Sequence, residues 1–403
     1  MHNRILKIDV ANIMGLESFH YSFPFEPNGP MCDGLYGLEN DGKTSLIQTF
    51  SLLKALGCGV DIRRAKHYFL NVFHVEGCVK YTFALCVGSQ NYHVHYEVYL
   101  KSENETMFTL AQEKLSYHYL NEPAVKGSIV IPYGPNASMA LDQKTLRIYD
   151  GYIEGGTSFL FAEDYLDYLK DHNREDYEVI KTLREQIISH LHVTSDPDYF
   201  EDCFYGSCPA IYPERFRETN FSRRLMDIDP AELLYYEGVA NRICIFLQEL
   251  GMKLRFQVKP GVRRFDGTME LLRVGAWDKS VFEASFAGKS IRKFIAFAQG
   301  YVEAMIQEDE WLVVDDVDGR SFHGYASSFI DAVVEMGNGQ LIFTTGDASL
   351  IARLPSHRAG CFSSLSLPTS GPLFVPSHKE LSSEQIYKAA SIAKQAELEI
   401  RGK

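Results

Sequence analysis

The chain has 403 residues, 45% of them hydrophobic and 23% charged, with a formal net charge of -13. That length is more than one minimal domain and sets an expectation of two or three lobes, while the acidic balance argues against a surface that clings throughout to nucleic acid or anionic membrane and leaves room only for a local basic groove. The eight cysteines form no disulfide framework, "MHNRILKIDV" is too charged for a secretory leader, and no apolar run reaches bilayer length; the expectation is a soluble, cytoplasmic protein with reduced thiols.

In chain order, "RILKIDVANI" alternates apolar and polar residues as a half-buried strand, and "GPMCDGLYGL" forms a second strand leading into "YGLENDGKTSLIQTF". This stretch matches G-x-x-x-x-G-K-[ST], with Gly37, Gly42, Lys43 and Thr44 in the required places. The glycines let the backbone turn tightly and aim its N–H groups into a nest for phosphate oxygens. Lys43 supplies a mobile point charge toward the β/γ-phosphates, and the Thr44 hydroxyl is placed to ligate Mg²⁺. Asn40, Asp41 and Ser45 complete the candidate nucleotide-binding loop. Apolar residues at helical spacing follow in "TSLIQTFSLLKAL", so a helix N-terminus faces the anion.

Next come "GCVKYTFALCVG" and "YHVHYEVYLKS", β-branched and aromatic runs joined by "SQN" as a hairpin, with "EKLSYHYLN" and "GSIVIPYG" extending the sheet. After Gly156 the periodicity of "FAEDYLDYLKDHNREDYEVIKTLREQIISHLHV" is helical, its acidic residues marking a solvated face. Cys203 and Cys208 in "CFYGSC" lack metal-pair spacing and read as loop or core cysteines. "PAELLYYEGVANRICIFLQELGM" is a helix that starts on Pro and ends at Gly251; strand-like "KLRFQVK" and "MELLRVG" then flank the turn "PGVRRFDG". No repeat or low-complexity tract is present.

In the last third, "EDEWLVVDDVDGRSFH" is an apolar strand running into Asp315 and Asp316. A carboxylate at the tip of a buried parallel strand is where a phosphate-loop protein needs its Mg²⁺ partner, and the next acidic residue can orient an attacking water. A calcium loop over the same acidic residues fails, because its first and twelfth positions fall on Val314 and Tyr325. About 270 residues separate the two motifs, and no N-K-x-D guanine-reading motif occurs. Such a long separation belongs to ABC-type heads, where an insertion splits the nucleotide-binding lobe.

On "RILKIDVANIMGLESF", "GLENDGKTS", "VKYTFALCVGSQNYHVHYEVYL" with "QEKLSYHYL", "WLVVDDVDGRSFH" and "GQLIFTTGDASLI", the sequence resembles the ABC-class, SMC-like ATPases of the OLD and abortive-infection type, found in anti-phage systems. The resemblance covers both ends of the chain and, more loosely, the hairpin region. It implies an α/β fold: an ABC-type P-loop domain whose mixed sheet includes an antiparallel subsheet, with a mainly helical insertion. The expected parts are residues 1–155 as the N-terminal half of the head, 156–252 as the insertion, and 253–403 as the C-terminal half. ATP and Mg²⁺ are the implied cofactors, with Thr44 and Asp315 on the metal and Lys43 and Asp316 in catalysis.

"FEASFAGKSIRKFIAFAQGYVEAM" sits where the family has its signature motif and helix, so Gly288 and Ser285 are candidates to grip ATP bound by a second subunit in a head-to-head dimer, against the plainer reading of a helix start. Two departures imply slow turnover: Asp316 replaces the usual Glu and is one methylene shorter, and Gly346 stands where a γ-phosphate-sensing His is expected. Fewer than sixty residues follow "TTGDASLI", too few for the nuclease domain of OLD-type relatives, so an effector such as a nuclease is expected as a separate chain. The leading expectation is an ATP-controlled sensor or scaffold, with the acidic, aromatic-rich insertion either its partner surface or a cap completing the fold. Two alternatives stay open: a DNA-binding repair or replication head using "RFRETNFSRR" and "VRRFDG", and a nucleotide-binding pseudoenzyme.

Overall fold

The computed structural model describes residues 3–24, 31–38, 40–64, 69–104, 107–122, 124–188, 190–194, 225–226, 230–251, 254–260, 266–273, 281–283, 289–318, 322, 325–362 and 381–401. In chain order these form β1 (Arg4–Ile13), β2 (Leu16–Ser22), β3 (Met31–Tyr36), α1 (Lys43–Gly57), β4 (Glu76–Val87), β5 (Gln90–Asn104), β6 (Met107–Tyr119), β7 (Gly127–Pro132), α2 (Gln143–Tyr149), α3 (Glu163–His172), α4 (Arg174–Thr182), β8 (Leu191–Thr194), β9 (Leu225–Met226), α5 (Pro230–Glu249), β10 (Leu254–Pro260), β11 (Asp266–Arg273), β12 (Val281–Glu283), α6 (Lys289–Ile306), β13 (Trp311–Val314), α7 (Ala326–Met336), β14 (Gln340–Thr345), α8 (Ala348–Ile351), β15 (Ala359–Cys361) and α9 (Ser383–Arg401).

The apolar run "WLVV" and the strand "QLIFTT", its Gln and Thr residues included, are buried along their whole length. Strands covered on both faces favour a parallel sheet. They lie at its centre, in the order β15-β3-β14-β13-β8, with each of these pairs parallel. Because side chains alternate along a strand, this sheet divides two cores. Trp311, Val313 and Ile342 join the cluster that holds α1 and the antiparallel strands. Leu312, Val314, Leu341 and Phe343 join the cluster filled by α5, α6, α7 and α9.

The early strands alternate as expected and build a six-stranded antiparallel sheet, β2-β1-β4-β5-β6-β7. Its β4–β5 ladder runs out to Val87 opposite Gln90, so the turn is the two-residue Gly88–Ser89, with Gly88 left-handed at φ +59°, rather than the "SQN" expected. A third sheet pairs β10 with β11, and β11 with β12 and β9. The result is the mixed α/β layout expected from the sequence: a parallel sheet carrying the loop and the acidic strand, beside an antiparallel subsheet. No helix among the described residues is long and apolar enough to cross a membrane.

Among the described residues of 156–252, two short strands depart from the helical expectation, β8 and β9. The segment is helical in α3, α4 and α5, but "HLHV" does not continue the preceding helix. Leu191–Thr194 instead forms the edge strand β8, paired in parallel with β13. Tyr165, Leu166, Leu169, Val179 and Ile180 of this segment are buried in the first core. Tyr117 hydroxyl donates to the Asp176 carboxylate at 2.6 Å and fastens α4 to β6. Helical periodicity carried past the true end because His190 and His192 alternate with apolar residues over a stretch too short to separate the two periods.

Those two histidines have a structural use. The Glu310 carboxylate, buried just before β13, accepts from His190 Nδ1 at 2.7 Å and His192 Nε2 at 3.0 Å, and the Trp311 N–H donates to the His190 carbonyl at 3.0 Å. Burial disfavours the charged form of Glu310, but the two imidazole bonds outweigh it and hold the carboxyl well below its ordinary range. β8 is thereby pinned to the entry of β13.

Glu310→Gln keeps the size and removes the charge; the expected loss is about 1–3 kcal/mol of unfolding free energy at neutral pH, read from urea titration. Because the native carboxyl is depressed, its contribution is complete above the unfolded value of about 4.3 and is lost as pH falls below it. The gap between wild type and variant should therefore narrow on acidification below pH 4.

Candidate nucleotide-binding site

β3 delivers the chain into the loop of residues 37–42, and α1 begins at Lys43. The turn is made by two left-handed residues, Asn40 at φ +68° and Gly42 at φ +93°. Asn tolerates that region, whereas at Gly42 a Cβ would also lie 2.3 Å from Leu16 Cδ2. The Gly37 N–H donates to the Thr345 carbonyl at 3.0 Å, tying the loop to the end of β14. The Leu38 N–H donates to the Asp41 carboxylate at 2.7 Å. Asp41, expected among the nucleotide contacts, thus places its carboxylate within the loop as a brace. Ser45 Oγ accepts from the Gly15 N–H at 3.2 Å and fastens the β1–β2 turn to α1.

Lys43 lies over its own loop, donating to the Gly37 carbonyl at 2.6 Å and the Leu38 carbonyl at 3.1 Å. Thr44 reaches across to the other motif. Its hydroxyl donates to Asp315 Oδ2 at 2.8 Å, although the two residues stand 271 apart in sequence. The second carboxylate oxygen, Oδ1, accepts from Thr344 Oγ1 at 2.9 Å, and the Asp315 N–H donates to the Thr194 carbonyl at 2.8 Å. Asp315 is buried, so its carboxylate is fixed from both sides at the mouth of the loop.

Asp316 adopts a left-handed conformation at φ +51°. Its N–H donates to Thr344 Oγ1 at 2.9 Å, and its carbonyl accepts from Lys293 Nζ, on α6, at 3.3 Å. Burial raises the Asp316 carboxyl above its ordinary value; Asp318 and Asp315 add to the rise, while Lys293 and Lys43 oppose it. Asp318 accepts from the Gly346 N–H through both oxygens at 3.1 Å. A Cβ at Gly346 would lie 3.6 Å from Lys43 Nζ and 3.7 Å from the Gly37 carbonyl oxygen. The position expected to carry a sensing His therefore faces the loop, but with a backbone N–H already committed to Asp318.

Sequence reasoning missed Thr344; it weighed Lys293 as added charge beside the signature-like turn against an exposed helix position, whereas the side chain is buried, and it met Asp318 only in the calcium loop that fails. The one available signal for Thr344 was a Thr-Thr pair closing an otherwise apolar core strand, a place where hydroxyls must find partners. Ser285 and Gly288 lie outside the described residues, as do the basic runs around Arg215–Arg224 and Arg263–Arg264 and the cysteines Cys203 and Cys208. Among the described residues no group of three or more His, Cys, Asp or Glu side chains could hold a metal by itself. The oxygen pair of Thr44 and Asp315 fits instead a hard cation that takes one or two protein oxygens and completes its shell with phosphate oxygens and water.

No family model matches the chain, and no curated protein matches it. Among solved structures it is similar to a Smc head bound to the C-winged helix domain of ScpA, at 9% identity and TM-score 0.40, covering 87% of this chain and 92% of that one. It is similar also to a Smc head domain with an extended coiled coil bound to the C-terminal domain of ScpA, derived from Pyrococcus furiosus, at 12% and 0.38, covering 87% and 92%. A third is the recombination mediator protein RecF with ATP, in the RecFOR pathway, at 13% and 0.39, covering 86% and 92%.

Thr344→Val leaves the Asp315 carboxylate and the Asp316 N–H each short of a partner; a loss of about 2 kcal/mol in chemical unfolding is expected, with Thr344→Ser recovering most of it.

Proposed function

We propose that the chain binds ATP with Mg²⁺ at the loop of residues 37–45 and Asp315, and that it is a slow ATPase of the SMC-like, ABC class. The observation that carries this reading is the 2.8 Å contact between Thr44 and Asp315, which joins a phosphate-loop hydroxyl to the acidic strand tip from the far end of the chain. Thr44 and Asp315 would hold the metal, which when bound neutralises charge on the phosphate oxygens. The left-handed turns at Asn40 and Gly42 shape the backbone around the phosphates, and Lys43, now resting on two loop carbonyls, is long enough to turn outward to them. Asp316 takes the water-orienting role, and its short arm keeps turnover low. Gly346 supplies no side chain to sense the terminal phosphate.

A binding site that outlasts hydrolysis suits a switch driven by occupancy. In this reading, ATP bound between two copies of the chain, with Ser285 and Gly288 as contacts to the second copy's nucleotide, drives self-assembly that holds or releases a separately encoded effector such as a nuclease, in anti-phage defence. The second reading is a DNA-binding repair or replication head. It is favoured by the clustered arginines of "RFRETNFSRR" and "VRRFDG" in an otherwise acidic chain.

ATP retention, molecular mass, turnover and DNA retention together separate these readings. Lys43→Ala is expected to cut ATP retention at least about tenfold, a loss of roughly 1.4 kcal/mol, and the molecular mass of the wild type should rise with ATP and Mg²⁺ but not in the variant. Steady turnover at constant mass would point to a conventional hydrolase. Salt-sensitive DNA retention that weakens when Arg263 and Arg264 are reversed in charge would move the assignment to the DNA-binding head.

A further inference from the structure

The turn after β13 is held from two directions. From the sheet side, Thr344 Oγ1 accepts the Asp316 N–H at 2.9 Å, the Thr344 carbonyl accepts the Val317 N–H at 2.9 Å, and Asp318 is bonded to the Gly346 N–H. From the helix side, Lys293 brings its ammonium to 3.3 Å from the Asp316 carbonyl. A lysine this deeply buried, 7% exposed, is costly to place unless its ammonium has partners. The Asp316 carbonyl and the Phe322 ring, whose centroid lies 5.7 Å from Nζ, provide them. The peptide so gripped is one of four non-glycine residues with positive φ among those described, a conformation that costs on the order of 1–2 kcal/mol and persists where its surroundings over-determine it.

Lys293 stands one turn inside α6, whose later residues are packed into the second core: Phe297 and Tyr301 are buried there, and the Tyr301 hydroxyl donates to the Phe329 carbonyl of α7 at 2.8 Å. A packed helix moves as a body, so a displacement at its start is delivered to whatever its side chains hold. Resting on the nucleotide site proposed above, we propose that Lys293 is a positioning residue: by gripping the carbonyl of the left-handed Asp316 it couples the start of α6 to the direction of the Asp316 side chain. The bond joins helix to backbone, so it sets orientation without touching nucleotide.

The test compares full-length wild type, Lys293→Met, Lys293→Arg and Lys43→Ala by equilibrium ATP·Mg²⁺ binding and by kcat and KM for ATP hydrolysis. Lys293→Met preserves length and burial; it should bind ATP within about twofold of wild type and lose at least about tenfold in kcat with KM little changed. Lys293→Arg, which restores a cationic donor, should recover most of the rate. Wild-type kcat in Lys293→Met, a parallel collapse of binding and rate, or no recovery in Lys293→Arg would each overturn the coupling. A wild type that binds ATP and never hydrolyses it would also overturn the coupling while leaving the binding reading standing. Failure of the underlying site shows differently, as ATP retention that Lys43→Ala does not alter.

Discussion

The structure depends on the side-by-side packing of β3, β14 and β13 as parallel strands. Parallel neighbours end at the same edge of a sheet, so the loop leaving β3 and the carboxylates leaving β13 emerge together, with the Thr344–Thr345 pair of β14 between them. The hydrogen bonds at that edge follow from this arrangement. Thr345 accepts the first loop N–H, Thr344 serves Asp315 and Asp316, and Thr44 closes the gap to Asp315. A further strand inserted between β3 and β13 would move the two motifs about 5 Å apart, beyond the reach of a threonine hydroxyl.

Keeping three short strands in register requires firm cores on both faces, and charged groups contribute there as well as apolar ones. On one side α1 is buried from Ser45 to Gly57, and Lys54 within it donates to the Leu191 carbonyl at 2.7 Å, bonding the helix to β8. On the other side Arg242 of α5 is sandwiched between Glu303 of α6 and Glu397 of α9, with Lys394 bonded to Glu303 at 2.8 Å. Burial works against the charged form of Glu303, yet Arg242 and Lys394 hold its carboxyl below the ordinary value. Such a network adds less net stability than an apolar cluster of the same volume, but it penalises every arrangement that leaves one charge alone. It fixes how α5, α6 and α9 meet, and α6 carries Lys293.

Much of the candidate site's geometry was legible residue by residue. The loop spacing identified Gly37, Gly42, Lys43 and Thr44, and the apolar run before Asp315 identified the acidic strand, because both patterns express local backbone demands: left-handed turns in one, burial on two faces in the other. Chemical plausibility was a poorer guide to side-chain direction within the loop. Asp41 lies in the motif and Ser45 directly follows it, yet one braces Leu38 and the other holds Gly15. The strand β8 was hidden for a related reason: four residues at the end of a long helical segment carry too little periodicity to declare themselves, and their partner is Trp311–Val314, far along the chain.

The sequence by itself determined the local pieces: a glycine-bearing turn opening a helix, a buried strand tipped with two carboxylates, alternating strands for an antiparallel sheet, and an acidic chain with two basic runs. The tertiary structure decided which of those pieces touch. Thr44 meets Asp315, Thr344 bridges the two aspartates, Lys293 reaches Asp316, and Glu310 collects His190 and His192. These are contacts between residues distant in the chain, fixed by strand order and helix packing. Backbone propensity and residue spacing act over one or two turns and encode no strand order, so contacts of this kind exist only once the sheet has formed.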